Sequence, residues 1–397
     1  MQLLRCLPTN QTTNKSSAPS MATLPMAEPG LLSPHSSTRS PQISESVRPT
    51  DFSFLLRPDI YNSLNTFAAP VCFKNSPKQP RPDAPISELL AGGHFRAAAA
   101  AAVTELTSGT LDPTNHRRIF ELLYIRLTCL MLIDATNVAA QEVKALEDLN
   151  NVTLYIDQET GQHMVPWDLR VLNVKLQAVG FDDMRRAVMS YYDLAREARA
   201  SVAMARSSSE RELWTARLRD IGVKVAWSLV DLDDTLGAIV HMRTLPSVVD
   251  GTVRLAEALL WLHLGDSEAA KDVVKTLAEG DERQIIEALT DMADGDFESA
   301  LTQLEKLAEE AETASETVQV NRAVCLLYSG KMDKASQVLE GLIDGGFASH
   351  TLLLNLSTIY ELCADKNRGL KTALASRVAS REPDETGWER TNADFKL

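Results

Sequence analysis

The sequence predicts an all-α protein: an antiparallel helix-pair solenoid with a disordered N-terminal arm. Three observations predict it. First, 13 of the 17 prolines lie in residues 1–85, and only Pro113, Pro166, Pro246 and Pro383 follow. Proline lacks the amide donor and breaks helix interiors, so the rest of the chain can be nearly all helix. Second, helical periodicity broken by small turns dominates beyond Pro85. Third, four of those turns share one pattern of small and apolar residues. Charge divides where proline does: residues 1–84 carry 8 basic and 5 acidic side chains, the remainder 32 and 49.

The first 50 residues are rich in Ser, Thr and Pro and cannot bury enough apolar surface to offset chain entropy, so they are read as disordered. Their acid-poor composition allows a transit peptide, but only four basic residues occur and the apolar stretch is short. Met21 is an alternative start. Residues 51–85 hold apolar clusters (Phe52, Phe54, Leu55, Leu56, then Ile60, Tyr61, Leu64, Phe67). They read either as a linker with one short helix or as a segment docking on the helical body or on a partner. The expected division is an arm over 1–84, a solenoid over 85–380 and a tail over 381–397.

Within the solenoid, Gly93 precedes a helix with six consecutive alanines, 97–102. A second helix is expected from Asn115 to Ile133. Residues 148–166 form a polar break with Asn150-Asn151, Gly161 and Pro166. Trp167–Val179 and Asp182–Ala205 form a longer pair. The clearest repeats span 220–345, with turns at Asp233, Gly265, Gly295 and Gly330. Seven residues before each stands Ala226, Ala258, Ala288 or Ala323. Five after stands Ala238, Ala270, Ala300 or Ala335. Twelve after stands Leu245, Leu277, Leu307 or Leu342. All twelve positions match, with 32, 30 and 35 residues between turns. A residue tolerating positive φ lets one helix stop and an antiparallel one start. Alanine lets two helix axes approach, and leucine fills the layer between pairs. No pair buries its apolar face alone, so pairs must stack. Leu352–Cys363 and Asn367–Ser380 close the array. A period near 34 resembles the tetratricopeptide repeat, of whose aromatic signature Trp261, Phe297 and Tyr328 remain.

Composition narrows the function. A net charge of −14 disfavours general binding to nucleic acid or anionic lipid. Five scattered cysteines without a CxxC pair argue against a disulfide framework or a cysteine-based zinc site. Seven scattered histidines without a metal-ligand spacing argue against a metal, and no phosphate loop or nucleophile elbow occurs. Cys325, inside an apolar helix, reads as a structural thiol. No apolar run is long enough to span a bilayer. Neither cofactor nor small-molecule ligand is expected.

One motif points to chemistry. Asp231-Leu232-Asp233-Asp234-Thr235 resembles the nucleophile motif of haloacid-dehalogenase-type phosphatases, with Asp231 as nucleophile and Asp233 as general acid at a magnesium site. That chemistry needs a strand to deliver the aspartates, and no strand series surrounds residue 231. The repeat register makes the segment a solvated turn whose acids favour the next helix N-terminus. Asn321 and Asn355 occupy equivalent positions on successive first helices. Each can hold an extended peptide backbone with its amide, or serve a structural bond within the array. The Lys and Arg set of a chaperone-type carboxylate clamp is not found beside them.

Three phrases carry a more specific likeness: Met164-Val165-Pro166-Trp167-Asp168-Leu169-Arg170-Val171-Leu172; Arg322-Ala323-Val324-Cys325-Leu326-Leu327-Tyr328-Ser329-Gly330-Lys331; and Leu352-Leu353-Leu354-Asn355-Leu356-Ser357-Thr358-Ile359-Tyr360-Glu361-Leu362. In this order the chain resembles the subunit-12 family of the trafficking protein particle complex, form III, over about residues 86–380. Asp233 departs from the usual turn glycine. The resemblance implies a non-catalytic scaffold among the protein subunits of a vesicle-tethering complex. That complex activates a Rab-type GTPase in endoplasmic reticulum to Golgi transport and autophagy. The implied location is cytoplasmic and peripheral to Golgi membranes, reached through partners only. A tetratricopeptide peptide-binding adaptor or co-chaperone is the alternative, and the phosphatase a remoter one.

Overall fold

The computed structural model describes residues 50–64, 68–245, 252–310, 315–365 and 367–397. The expectations for residues 1–49, for Met21 as a start and for Phe67 lie outside them. The fold is an all-α, tetratricopeptide-like solenoid of antiparallel helix pairs. Among the described residues the only extended pairing is one antiparallel bridge between Ile156 and His163, inside the polar break.

The chain enters through 3₁₀ turns at Ser53–Leu56 and Pro58–Ile60 and a short α1 at Val71–Lys74. The array then begins with α2 (Ile86–Ala91), α3 (Phe95–Leu106), α4 (His116–Leu132) and α5 (Thr136–Glu142). The predicted Asn115 start is the N-cap of α4, its side chain accepting from the Arg118 amide. Helix α5 has no counterpart in the sequence reading. A short α6 (Val152–Tyr155) leads to α7 (Trp167–Phe181), with Pro166 just before its first turn. The longest pair is α8 (Met184–Met204) with α9 (Ser208–Asp231). The regular pairs follow as α10 (Thr235–Thr244), α11 (Thr252–Leu264), α12 (Ser267–Val274), α13 (Asp281–Asp294), α14 (Phe297–Glu310), α15 (Glu316–Tyr328) and α16 (Met332–Asp344). The array ends with α17 (His350–Cys363) and α18 (Asn367–Ala379).

Most helices pack chiefly on their chain neighbours, so the apolar core runs as a series of clusters along the array. Irregular segments pack on the array at its two ends. Residues 50–64 and 68–84 place several apolar side chains against the helices. Phe52 and Leu55 are buried with Phe120 and Tyr155, and the Phe52 and Phe120 rings meet edge-on at 5.0 Å. Phe73 of α1 is buried with Trp388 and Phe395 of the C-terminal segment, itself packed rather than free. Helix α1 lies on α18, so chain that precedes the array meets its last helix.

Candidate functional site

The turns make the surface regular. Asp233, Gly265, Gly295 and Gly330 all have positive φ, between 61° and 87°. The residue after each donates its amide five residues back: Asp234 to Leu229, Asp266 to Trp261, Asp296 to Asp291 and Lys331 to Leu326, at 2.9–3.0 Å. This is the left-handed helix stop that satisfies a terminal carbonyl. Asp234, Asp266 and Asp296 then each accept the amide three residues on, so one dipeptide ends a helix and caps the next. All eight repeat alanines are buried, none above 2% exposed. Leu307 and Leu342 are buried, while Leu245 and Leu277 are half-buried at the edges of their layers.

The same turn recurs where the sequence reading did not see it. Asp134 (φ 59°) and Asp182 (φ 53°) are left-handed, with Ala135 and Asp183 donating back to Leu130 and Ala178. Five residues on stand Ala139 and Ala187, both buried, as Ala98 stands after Gly93. Aspartate tolerates the left-handed region better than most side chains. Leu127 and Lys175 stand where the regular repeats have alanine seven residues before the turn, so the full pattern passes over both units.

The residues proposed for chemistry are dispersed. Asp231 ends α9 and Asp233 and Asp234 form its turn, all three exposed and none on a strand. Asp234 is engaged as an N-cap. The strand that the phosphatase chemistry needs is replaced here by a helix end and a turn, and no described residues group as three or more candidate metal ligands. His163 and His241 bond the carbonyls of Leu149 and Gly222. Cys72, Cys129, Cys325 and Cys363 are free. Burial pushes the Cys129 thiol up to about 12 and the Cys325 thiol up to about 11, which suppresses thiolate reactivity. Asn321 is 9% exposed and donates to the Thr317 carbonyl of its own helix at 2.9 Å. That amide is engaged in the array, and Asn355 on α17 is half-buried.

Two features give the molecule exposed binding potential. Trp227, Leu236 and Val240 are largely exposed on α9 and α10, the helices flanking the Asp233 turn. Phe297 and Tyr328 stack at 4.4 Å with an interplanar angle of 4°, and Tyr328 is exposed. Large apolar side chains held on rigid helices are the usual anchors of protein interfaces.

The second feature is the junction of the two ends, which combines a buried ion pair, a tail clasp and a cavity. The Arg126 guanidinium donates twice to Glu142, at 2.9 and 2.7 Å, and to the carbonyls of Ala99 and Asn62 at 3.2 and 2.8 Å. The Asn62 amide donates to Glu142 at 2.8 Å, so a fully buried pair stitches the entry segment to three helices. Trp388 of the tail packs edge-on to Phe73 and His94, at 5.2 Å each, and its amide donates to the Gly93 carbonyl. Gly93 has φ +62°, and a Cβ there would lie 2.2 Å from the Asp384 carbonyl oxygen, so both its turn and the tail's approach require glycine. Arg96 and Glu389 pair across the seam, and the Asn392 amide donates to the Ala68 carbonyl. A cavity of about 650 Å³ lies here, lined among others by Tyr61, Leu64, Ala97 and Trp388.

No protein-family profile matches the chain. The chain is similar to trafficking protein particle complex subunit 12 of Mus musculus, with 24% identity over 318 residues, covering 68% of this chain and 39% of the mouse protein. The subunit 12 of Homo sapiens is 24% identical over 324 residues, covering 70% of this chain and 42% of the human protein. The chain thus spans about two fifths of the length of the curated relatives it matches. Among solved structures it matches the tetratricopeptide domain of P58(IPK), with 13% identity and a TM-score of 0.22, covering 76% of this chain and 93% of that chain.

Proposed function

We propose that this chain is a non-catalytic scaffold subunit of a vesicle-tethering complex like form III of the trafficking protein particle complex. In this reading it serves endoplasmic reticulum to Golgi transport and autophagy. The observation that carries the reading is the likeness to subunit 12 along about seven tenths of the chain. An all-helical array with exposed apolar anchors supports it, because stacked helix pairs offer long surfaces to partners. In this reading residues 85–380 are the partner-bearing array. No described helix is long and apolar enough to cross a membrane, so recruitment to Golgi-proximal membranes would run through protein partners.

The test is affinity purification of the full chain from cells, followed by quantitative mass spectrometry. Recovery of the small core tethering subunits in fixed proportion is the expected result. Recovery of chaperones alone, lost together on Asn321→Ala and Asn355→Ala, would overturn the scaffold reading in favour of a co-chaperone adaptor. Magnesium-dependent phosphate release abolished by Asp231→Asn would replace it with an enzyme.

A further inference from the structure

A polar cleft of about 1260 Å³ opens between the C-terminal segment and the turn joining α16 to α17. Phe347, Ser349, Arg377, Arg381, Asp384 and Arg390 are among the residues that line it. Most of the charges here are already matched. Arg377 pairs with Asp344 at 2.5 Å, and Glu382 pairs with Lys78 of the entry segment. Asp384 accepts the Thr386 amide and hydroxyl at 2.9 and 2.6 Å, and Glu316 accepts the Ser349 amide at 3.3 Å. The outer nitrogens of Arg381 donate to the carbonyls of Gly346 and Gly387.

Arg390 is the exception. Its guanidinium makes no hydrogen bond or ion pair with any described residue, and its Nε is buried without an acceptor. Burial and the neighbouring Arg381 both push its pKa down, against the pull of Asp394, Asp384 and Glu316. A guanidinium carries five donors in a planar fork, and the outer nitrogens of Arg390, which are not buried, find no acceptor among the described residues.

We infer that the Arg390 cleft is a carboxylate-binding site, and that it takes an acidic side chain or chain terminus of a partner protein. A carboxylate presents two coplanar oxygens to the guanidinium fork, and its single charge is tolerated beside Glu316, Asp344, Glu382 and Asp384. A phosphate dianion would meet that ring of carboxylates at a greater cost. The cleft is larger than a lone small carboxylate fills, and Ile343, Phe347 and Pro383 give it apolar wall for residues flanking the acid. The site is lined by the C-terminal segment, the α16–α17 turn and the first residues of α15 and α17, and includes neither Asn321 nor Asn355. The inference rests on the reading of the chain as a protein-binding scaffold, but on no particular complex.

The test uses the isolated full chain, so its failure is separate from failure of the tethering reading in cells. Arginine Nε–Hε resonances are followed by NMR while the chain is titrated with acetate, acetamide, inorganic phosphate and chloride. Two capped tripeptides, Leu-Glu-Leu amide and Leu-Gln-Leu with a free terminus, follow. The Arg390 signal, assigned by its loss in Arg390→Gln, is expected to move saturably with acetate and not with acetamide. One of the tripeptides should bind at least about tenfold more tightly than acetate, and which one distinguishes side-chain from terminal carboxylate. Arg390→Gln should abolish the response while leaving the melting temperature unchanged or raised, because it removes an unmatched charge. Phosphate binding more tightly than acetate would overturn the carboxylate assignment. An equal response to chloride would reduce the site to an adventitious ion only. A melting temperature lowered by Arg390→Gln as much as by Arg381→Gln would make Arg390 a structural residue and end the proposal.

Discussion

The array between α9 and α16 and the junction where the two ends meet are both packed, but by different means. In the array each unit repeats one device, a left-handed turn with a buried alanine on either side, and three of the four add an aspartate cap. Its stability is spread over many similar contacts, and neighbouring pairs share the load. The junction has no repeated device. It rests on the buried Arg126–Glu142 pair, the Arg96–Glu389 and Lys78–Glu382 pairs, one tryptophan, one glycine and a few backbone bonds between segments distant in the chain. A redundant structure should degrade gradually under mutation, whereas a structure of single contacts should fail at once and locally.

The largest effects should therefore fall at the junction. Glu142→Gln leaves Arg126 charged and buried with half its partner, which should cost about 3–5 kcal/mol, measured by urea denaturation of the full chain. The double variant Arg126→Met with Glu142→Leu should recover most of that loss, because an apolar pair of similar volume needs no compensation. A double variant no better than the single would mean that the bonds to Ala99 and Asn62 matter more than the charge pair. Trp388→Ala should cost about 3–5 kcal/mol of local packing. Hydrogen exchange should show fast exchange in residues 68–96 and 381–397 while α11–α16 stay protected. Uniform deprotection would show that the seam and the array unfold as one unit.

How much of each region was legible follows from the same contrast. Gly265, Gly295 and Gly330 with their alanines are visible because a repeat tests each position against its copies. Asp134 and Asp182 escaped because Leu127 and Lys175 stand where the regular repeats have alanine seven residues before the turn, and the intervals around them are longer than in the regular repeats. The junction has no copies to compare. Phe52, Leu55 and Phe73 sit among prolines, which signal a break in helix but do not say whether the chain stays packed. Trp388 and Phe395 lie in a short, irregular terminal stretch, and their partners are some three hundred residues away in sequence. Arg390 was not legible either, since an unmatched guanidinium is a fact of surroundings and not of spacing.

Smaller effects belong to the array. Ala270→Leu and Ala335→Leu insert side-chain volume at fully buried helix crossings, and each should cost about 1–3 kcal/mol. Unchanged thermal melts in both would place the helix crossings elsewhere. Asp266→Ala removes the side chain that accepts the Ala269 amide and should cost about 1 kcal/mol, most of which Asp266→Ser should restore. Loss restricted to exchange protection in α12 would show how far a single unit can loosen without its neighbours.

The smallest expected effect is on pH, and it separates the two regions most cleanly. His350, at the start of α17, bonds Asp394 of the tail at 2.5 Å. That bond raises the imidazole pKa above its ordinary 6.5 against the opposing effect of burial, with Asp134 adding to the rise and Arg390 opposing it. Asp394 is pushed up by burial, but its bonds to His350 and to the Thr391 amide outweigh this and leave its pKa lowered. The signs give a window. A raised histidine pKa contributes stability fully below the unfolded value near 6.5, and loses it as pH rises through the higher folded value. A lowered carboxylate pKa contributes above its unfolded value near 3.8, and loses it as pH falls through the lower folded value. Tail docking should thus be tightest between those unfolded values and weaken as pH climbs past the imidazole's folded pKa. Because the His350 side chain is 58% exposed, solvent screens the pair and the change should be modest. Hydrogen exchange of residues 388–395, corrected for the intrinsic pH dependence of exchange, should show protection falling from about pH 6 to about pH 8.5, with α13–α16 unchanged. His350→Gln should flatten that response without moving the protection of the array. A tail equally protected across the range in the unmodified chain would mean that Trp388 and Phe395 hold the seam and the ion pair only decorates it.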